Sequence, residues 1–364
     1  MVNLVDCSIE EFYSHIKGKA LICFGSGAIL DLLCNQYIGI IEHIDYIIDN
    51  NELKAGKTKE IGNRVFQVTS YSKFIKLFPC KDMAILITTS LEFAVEIKRQ
   101  LDNEILFDGM DCYVGVIFEK YRSKVQDLVL TKGDKQKIPK HIHYCWFGSN
   151  PIPPHLEACI VSWQKYCPDY VITRWDERNY DISKNLYMKQ AYEEKKWAFV
   201  PDYARLDIIY NYGGVYFDTD VELLKSIDDL LYDEMFCGFE SHDFIALGLG
   251  FGAIRHHFFI EKLLDKYNDI KFINDDGTLN MIGSPIYQTE VFREYGFNID
   301  NTQQKKDGIM IYPCEVLCPI TTVGMDCFTE NTYSIHHYDA SWVEKKHIEH
   351  WKKEGDLIKQ LMMM

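Results

Sequence analysis

The stretch from 202 to 221 constrains the fold most. Residues 202–212 (DYARLDIIYNY) read as a helix that stops at Gly213-Gly214, a normal C-terminal glycine signal. The next residues, Val215 to Val221, read as a strand with an apolar start (VYF) and Asp218-Thr219-Asp220 at its far end. Residues i and i+2 of a strand share a face, so Asp218 and Asp220 are expected to present two carboxylates together. Two carboxylates in a partly buried site repel unless a cation joins them. Hard divalent ions such as Mg²⁺ or Mn²⁺ take oxygen ligands and bridge carboxylates to diphosphate. Such an ion offsets the charge on a departing nucleoside diphosphate. A D-x-D triplet also arises about once by chance in an acidic chain of this size, so two exposed loop aspartates are the alternative. Asp202 and Arg205 are i, i+3 neighbours on one face of the preceding helix. Arg205 is either a helix-surface ion pair or, beside the carboxylates, the group that positions a donor.

Strands and helices alternate elsewhere too. Residues 19–24 (KALICF) read as a buried strand, followed by Gly25-Ser26-Gly27 and a helical pattern to about Tyr37. A second strand, Ile44 to Ile48, ends at Asp49-Asn50-Asn51, and Met83 to Thr88 is a third, followed by a helix around 92–101. This is a βαβ opening with a glycine turn and an acidic residue after its second strand. The dinucleotide fingerprint needs a third glycine where Leu30 stands. Gly25 and Gly27 therefore read as a tight strand–helix turn more readily than as a nucleotide cradle. A polar stretch, 123–136, precedes a restart at Ile138-Pro139-Lys140. The expected domains are 1–135, a small Rossmann-like unit without catalytic residues, and 136–364, the unit bearing the acidic pair.

Composition narrows the function. The formal net charge of −15 opposes phosphate-backbone binding and strong attraction to an anionic membrane. Twelve cysteines are scattered with no C-x-x-C pair, which reads as reduced, buried thiols in a cytoplasmic protein. The first residues carry acidic groups and no long apolar core, unlike a signal peptide. No run of 18 apolar residues exists for a membrane span. Aromatics at 14% suit sites that stack planar or sugar rings and equally suit well-packed cores.

Two further clusters carry chemistry. Residues 142–147 (IHYCWF) read as a strand with Gly148 opening a loop. Trp146 at the strand's exit either stacks on a flat base such as uracil or is a core tryptophan. In Tyr333-Ser334-Ile335-His336-His337-Tyr338-Asp339-Ala340-Ser341-Trp342, a strand would turn His336 and His337 to opposite sides. Only one of them could then reach an ion held by the aspartates.

The blocks IPKHIHYCWFG, SWQKYCPDY, FVPDYARLDIIYNYGGVYFDTDVE, IGSPIYQTEVF and SIHHYDASW, in this order over residues 138–342, resemble glycosyltransferase family 32. That group has DXD sugar-binding motifs, includes capsular-polysaccharide synthases and yeast mannosyltransferases, and is distantly related to clostridial glucosylating toxins. The resemblance implies an α/β fold in which a GT-A type nucleotide-sugar transferase domain follows the small Rossmann-like one. It implies that Trp146 stacks the base with the Cys145 backbone beside it, and that Asp202 and Arg205 contact donor sugar and ribose. Tyr216 precedes the acidic pair as in the family. Asp218 would contact ribose and metal-bound groups, while Asp220 binds the metal with His336. Ser341 and Trp342 would close over the diphosphate, and Gly283-Ser284-Pro285 would line the site. Asp218, Asp220 and Arg205 would carry catalysis. One departure concerns the segment after Gly238-Phe239-Glu240, which lacks the family's frequent asparagine and so leaves the sugar open.

The expectation is a retaining hexosyltransferase using Mn²⁺ (or Mg²⁺). It would move sugar from a nucleotide-sugar donor, a UDP-sugar first, to an oligosaccharide or lipid-linked glycan acceptor in polysaccharide (capsule or related glycan) biosynthesis. A GDP-mannose donor is the variant reading. No nucleic acid and no integral membrane segment are expected. The place would be cytoplasmic or peripheral at the inner membrane face, with the N-terminal unit docking other glycan-synthesis enzymes. The alternatives are an inactive carbohydrate-binding or scaffold protein, a nicotinamide-dependent oxidoreductase built on the N-terminal unit, and a host-directed toxin.

Overall fold

Apolar runs rich in isoleucine, leucine and phenylalanine form strands, and the computed structural model gathers them into two units, each around its own seven-stranded sheet among the described residues. The structure describes residues 1–77, 82–121, 128–131, 133–241, 243–320, 327–339 and 345–364. Among the described residues, one unit comprises those of 1–121 and 349–364, the other those of 128–320, 327–339 and 345–348. The α/β class expected from the sequence is present in both.

In the first unit the strands are β1 (Asn3–Leu4), β2 (Ala20–Phe24), β3 (Ile44–Asp49), β4 (Thr58–Ile61), β5 (Arg64–Ser70), β6 (Met83–Ile87) and β7 (Asp111–Val114). Their order is β1-β7-β6-β2-β3-β5-β4, parallel except for the β4–β5 hairpin. Helices Ala28–Gln36 and Leu91–Asp102 follow β2 and β6. The strands bury both faces, which explains runs such as LICF with no polar alternation. Leu357, Ile358 and Leu361 of the last helix also belong to this core, so the unit draws on both ends of the sequence.

The glycine turn after β2 closes on Asp49 at the end of β3. Asp49 Oδ2 accepts from the Ser26 amide at 2.9 Å, the Ser26 hydroxyl at 2.6 Å and Lys54 Nζ at 2.9 Å. The carboxylate that a dinucleotide fold would offer to a ribose is thus engaged in holding the turn. Burial raises its pKa, but these hydrogen bonds prevail and hold it at about 2. The folded value lies below the unfolded one. Its contribution is therefore present above about pH 4 and is lost as pH falls toward 2. Asp49→Ala is expected to lower the unfolding free energy by about 2 kcal/mol at neutral pH. Urea titrations at pH 7 and pH 3 check it: the difference between variant and wild type should shrink at the lower pH.

The second unit holds β8 (His141–Cys145), β9 (Val171–Trp175), β10 (Gly214–Tyr216), β11 (Val221–Leu223), β12 (Met235–Gly238), β13 (Phe251–Ala253), β14 (Gln304–Lys306), β15 (Ile309–Tyr312) and β16 (Ser334–His336). The main sheet runs β14-β15-β12-β13-β10-β8-β9, with β13 antiparallel to both neighbours, β14 antiparallel to β15 and the other pairs parallel. β11 and β16 form a separate antiparallel pair. Alternation along β10 sends Val215 and Phe217 into one core and Tyr216 into the other, where the helix Val200–Tyr212 packs through Ala204, Ile208 and Ile209.

One expectation changes here. The strand read from Val215 to Val221 is two strands with a turn between them: β10 ends at Tyr216, and the Val221 amide donates back to the Asp218 carbonyl at 3.1 Å. Asp218 and Asp220 are therefore brought together by a turn and not by strand alternation. Gly214 explains the abrupt entry into β10. Its φ is +103°, and a Cβ there would stand 2.5 Å from the His141 carbonyl oxygen of β8.

Candidate active site

β8 and β10 run parallel, so Cys145-Trp146 and Phe217-Asp218 leave the sheet at the same edge. Ligands of α/β sheets bind outside such carboxyl ends. The Phe217 amide donates to the His143 carbonyl at 3.1 Å and the Asp218 amide to the Gly248 carbonyl at 3.1 Å. These bonds fix the backbone from which the two aspartates project.

Arg205 comes up from the helix beneath. It is 4% exposed and lies between two carboxylates: Nη2 pairs with Asp202 Oδ1, and Nη1 stands 3.3 Å from Asp218 Oδ2. Its guanidinium also sits 5.5 Å from the centre of the Tyr216 ring. Burial works against the charge on Arg205, but Asp218 and Asp202 on either side hold it protonated. Asp202 is pushed up to about 6 by burial, offset in part by Arg205. Tyr187 donates to its Oδ2 at 3.3 Å, and the Ser284 hydroxyl bonds to it as well. Arg205 is thus no surface ion pair.

Asp220 faces the other way, toward β16. His336 Nε2 stands 3.2 Å from Asp220 Oδ1, while Oδ2 accepts from the Asp339 amide at 3.0 Å. Burial raises the Asp220 pKa, but His336 and that amide bring it down to about 2. Burial likewise lowers the His336 pKa, and the nearby Asp220 lifts it to about 9. Asp218 is raised by burial and by Asp220, against the pull of Arg205. The Tyr216 hydroxyl hydrogen-bonds to Asp218 and contacts the buried Cys145 thiol. His337 turns away, as the strand reading expects, and meets Glu222 at 2.9 Å.

One ligand atom from each of Asp218, Asp220 and His336 falls within 4.8 Å of the others, the arrangement a metal ion needs. The donor set fits: two carboxylates suit Mn²⁺ or Mg²⁺, and the imidazole favours Mn²⁺ of the two. His336 Nδ1 is buried with no hydrogen-bond partner among the described residues, and the ring packs edge-on against Tyr338 with centroids 4.4 Å apart.

Trp146 leaves β8 with its amide on the Trp175 carbonyl (2.9 Å) and its indole N–H on the Asn150 carbonyl (2.8 Å). The ring is oriented and partly exposed, and it is absent from both cores of this unit. Gly283 and Ser284 begin the helix Ser284–Glu294 beside Asp202. Ser341 and Trp342 lie outside the described residues.

Sequence reading missed two contributors. Glu240, two residues beyond β12, is raised in pKa by burial and senses both His336 and Asp218. Gly248 has no room for a side chain, because a Cβ there would overlap Asp218 Oδ2 and lie 2.8 Å from Arg205 Nη1. The signal was the glycine spacing of LGLGF in the segment that departs from the family pattern. Gly248→Ala is expected to displace the Asp218 carboxylate and Arg205, at about 1–3 kcal/mol of stability and with loss of donor binding. A melting curve together with a nucleotide titration measures both.

Residues 153–237 match the family described as a glycosyltransferase sugar-binding region containing a DXD motif. The chain carries this DXD-type sugar-binding region. The match spans Asp202, Arg205, Tyr216, Asp218 and Asp220, while Trp146 and His336 lie outside it. The chain is 27% identical over 193 residues to inositol phosphoceramide mannosyltransferase 1 of Schizosaccharomyces pombe (strain 972 / ATCC 24843), covering 48% of this chain and 57% of that protein. It is 28% identical over 169 residues to a mannosyl phosphorylinositol ceramide synthase of Saccharomyces cerevisiae (strain ATCC 204508 / S288c), covering 44% and 43%. The chain thus spans about half the length of the curated relatives it matches. Among solved structures, the PaToxG glycosyltransferase aligns with TM-score 0.38 and 16% identity over 57% of this chain and 78% of its own. A glycosyltransferase involved in glycosylation of the major capsid of PBCV-1 aligns with TM-score 0.32 and 10% identity over 58% and 98%.

Proposed function

We propose that this chain is a metal-dependent, retaining glycosyltransferase that moves a hexose from a nucleotide-sugar donor to a carbohydrate acceptor. The observation that carries the reading is the convergence of Asp218, Asp220 and His336 beside a buried Arg205 at the carboxyl edge of the sheet. A divalent ion held there would supply positive charge to the leaving diphosphate. Arg205 and Asp202 would fix the sugar and ribose, and Tyr216 would hold Asp218 in place. Asp202 and Asp218 are both engaged by Arg205, which supports front-face displacement in which the donor's own phosphate helps deprotonate the acceptor. The transition state is oxocarbenium-like, as in glycoside chemistry generally.

The donor proposed first is a UDP-sugar, with Trp146 stacking the base. Trp146→Ala is expected to weaken donor binding by about 1–3 kcal/mol with little change in turnover. Calorimetric titration of the nucleotide checks it, and an unchanged dissociation constant would leave the ring without that role. A second reading, mannose from GDP-mannose, is favoured by the names of the two fungal relatives. Their names also make a lipid-linked acceptor the counterpart of the polysaccharide (capsule or related glycan) expected from the sequence. A screen of UDP- and GDP-sugars for thermal stabilisation and Mn²⁺-dependent hydrolysis tests the proposal. Stabilisation by no nucleotide sugar would defeat it.

No helix among the described residues is long and apolar enough to cross a membrane. A cytoplasmic protein, peripheral at the inner membrane face, is the proposed setting. The first unit, with its glycine turn closed on Asp49, is proposed as a non-catalytic module that docks the acceptor or another glycan-synthesis enzyme.

A further inference from the structure

The helix Ser284–Glu294 turns Ser284 and, one turn later, Gln288 to the same side. Ser284 bonds to Asp202, so that side faces the carboxylate–guanidinium cluster. Gln288 Oε1 accepts from the Leu247 amide at 2.9 Å, and Thr289 Oγ1 accepts from the Ile245 amide at 2.9 Å. The loop 245–247 is thereby stapled to the helix, and the next residue, Gly248, lies against Asp218 and Arg205. Gln288 therefore stands beside the loop whose Gly248 borders the cluster.

Its amide is only half used. A backbone N–H on Oε1 fixes which end of the side chain is oxygen and which is nitrogen. The Nε2 end, in a residue 1% exposed, has no partner among the described residues. A primary amide carries two N–H donors, and leaving them buried and unmet is costly. A second orphan lies nearby. The Tyr267 hydroxyl also lacks a partner among the described residues, and its ring stands 5.3 Å from that of Tyr187, which donates to Asp202. Unmet buried polar atoms at the edge of a candidate site are what a polyhydroxyl ligand would satisfy.

We infer that Gln288, through Nε2, is the specificity-determining residue for the donor's sugar, donating a hydrogen bond to one of its ring hydroxyls. The assignment rests on the reading that the Asp202–Arg205–Asp218 cluster binds a nucleotide sugar. Asp202 accepts from a sugar hydroxyl, Gln288 donates to one, and the Tyr267 hydroxyl can do either. A site that pairs with a particular hydroxyl rejects the epimer that lacks it in that direction, because its own polar atoms are then stranded.

Two variants of the full chain separate this role from that of a loop staple. Gln288→Glu keeps an oxygen for the Leu247 amide and replaces the N–H donors. Gln288→Met removes both and introduces no charge. The readouts are kcat/KM for hydrolysis of the best UDP- or GDP-hexose, the same for its C2 and C4 epimers, the Kd of the free nucleoside diphosphate, and Tm. Both variants should lose at least about tenfold in kcat/KM for the best donor. The preference over one epimer should shrink by a similar factor. Gln288→Glu should keep the wild-type Kd for the free nucleoside diphosphate, while its Tm falls because a carboxyl replaces an amide in a residue 1% exposed. An epimer preference within about twofold of wild type in both variants would overturn the assignment and leave Gln288 a staple. A wild-type protein that binds the nucleoside diphosphate but hydrolyses none of these sugars, or that binds neither, would overturn the donor-site reading and this assignment with it.

Discussion

Arg205→Ala is expected to destabilise the second unit by about 3–5 kcal/mol, the scale for removing one partner of a buried ionic group. Arg205 is the cation to which both Asp202 and Asp218 are tied, and its side chain is 5% exposed. Without it the buried Asp202 and the partly exposed Asp218 lose their shared cation, and Asp202 is the one expected to take up a proton. Burial already lifts Asp202 to about 6 with Arg205 in place, so its pKa should climb further in the variant. Arg205→Lys keeps the charge but loses the fork that reaches both carboxylates at once, so it should fold better and still bind donor poorly. Urea denaturation of the three proteins at pH 7 measures the first effect. A loss under about 1 kcal/mol in the alanine variant would mean that the carboxylates are stabilised some other way.

Asp220→Asn is expected to lower donor turnover by on the order of 10²-fold or more, the scale for losing one preorganised electrostatic contact. The fold should survive, because an amide oxygen can still accept from the Asp339 amide as Asp220 does. The charge is what disappears. His336 loses the partner that holds its pKa near 9, and burial should then drive it down. The metal site would lose an anionic ligand. Turnover at saturating Mn²⁺, with circular dichroism to confirm folding, checks the prediction. Activity within about tenfold of wild type would remove Asp220 from the catalytic role.

The helix read over 202–212, the glycine stop and the two aspartates were legible because their signals are local. So was the opposite orientation of His336 and His337, which follows from strand alternation alone. The pairing of β11 with β16 was not legible: it joins Val221 to His336 across more than a hundred positions, and no local pattern encodes it. The acidic pair was read as brought together by strand alternation, and the structure brings it together by a turn. Strand alternation would have aligned the carboxylates, but the chain turns at Asp218, and Arg205 and His336 each capture one of them. Gly248 was passed over because a glycine in a loop reads as flexibility, whereas here it is the space that Asp218 and Arg205 occupy. The first unit's alternation was read well, yet the membership of Leu357, Ile358 and Leu361 in its core was invisible, since that contact spans nearly the whole sequence. Gly25-Ser26-Gly27 was read as a turn, and the hydrogen bonds from Ser26 to Asp49 supply the physical reason.

The central claim is that Asp218, Asp220 and His336 hold a divalent ion that activates a nucleotide sugar. The most direct measurement is release of nucleoside diphosphate from the best-binding nucleotide sugar by the full chain, before chelation, after exhaustive chelation, and after Mn²⁺ is restored. The account predicts that turnover disappears on chelation, returns with Mn²⁺, and fails to return in Asp220→Asn. Full turnover in the chelated wild-type protein would contradict it.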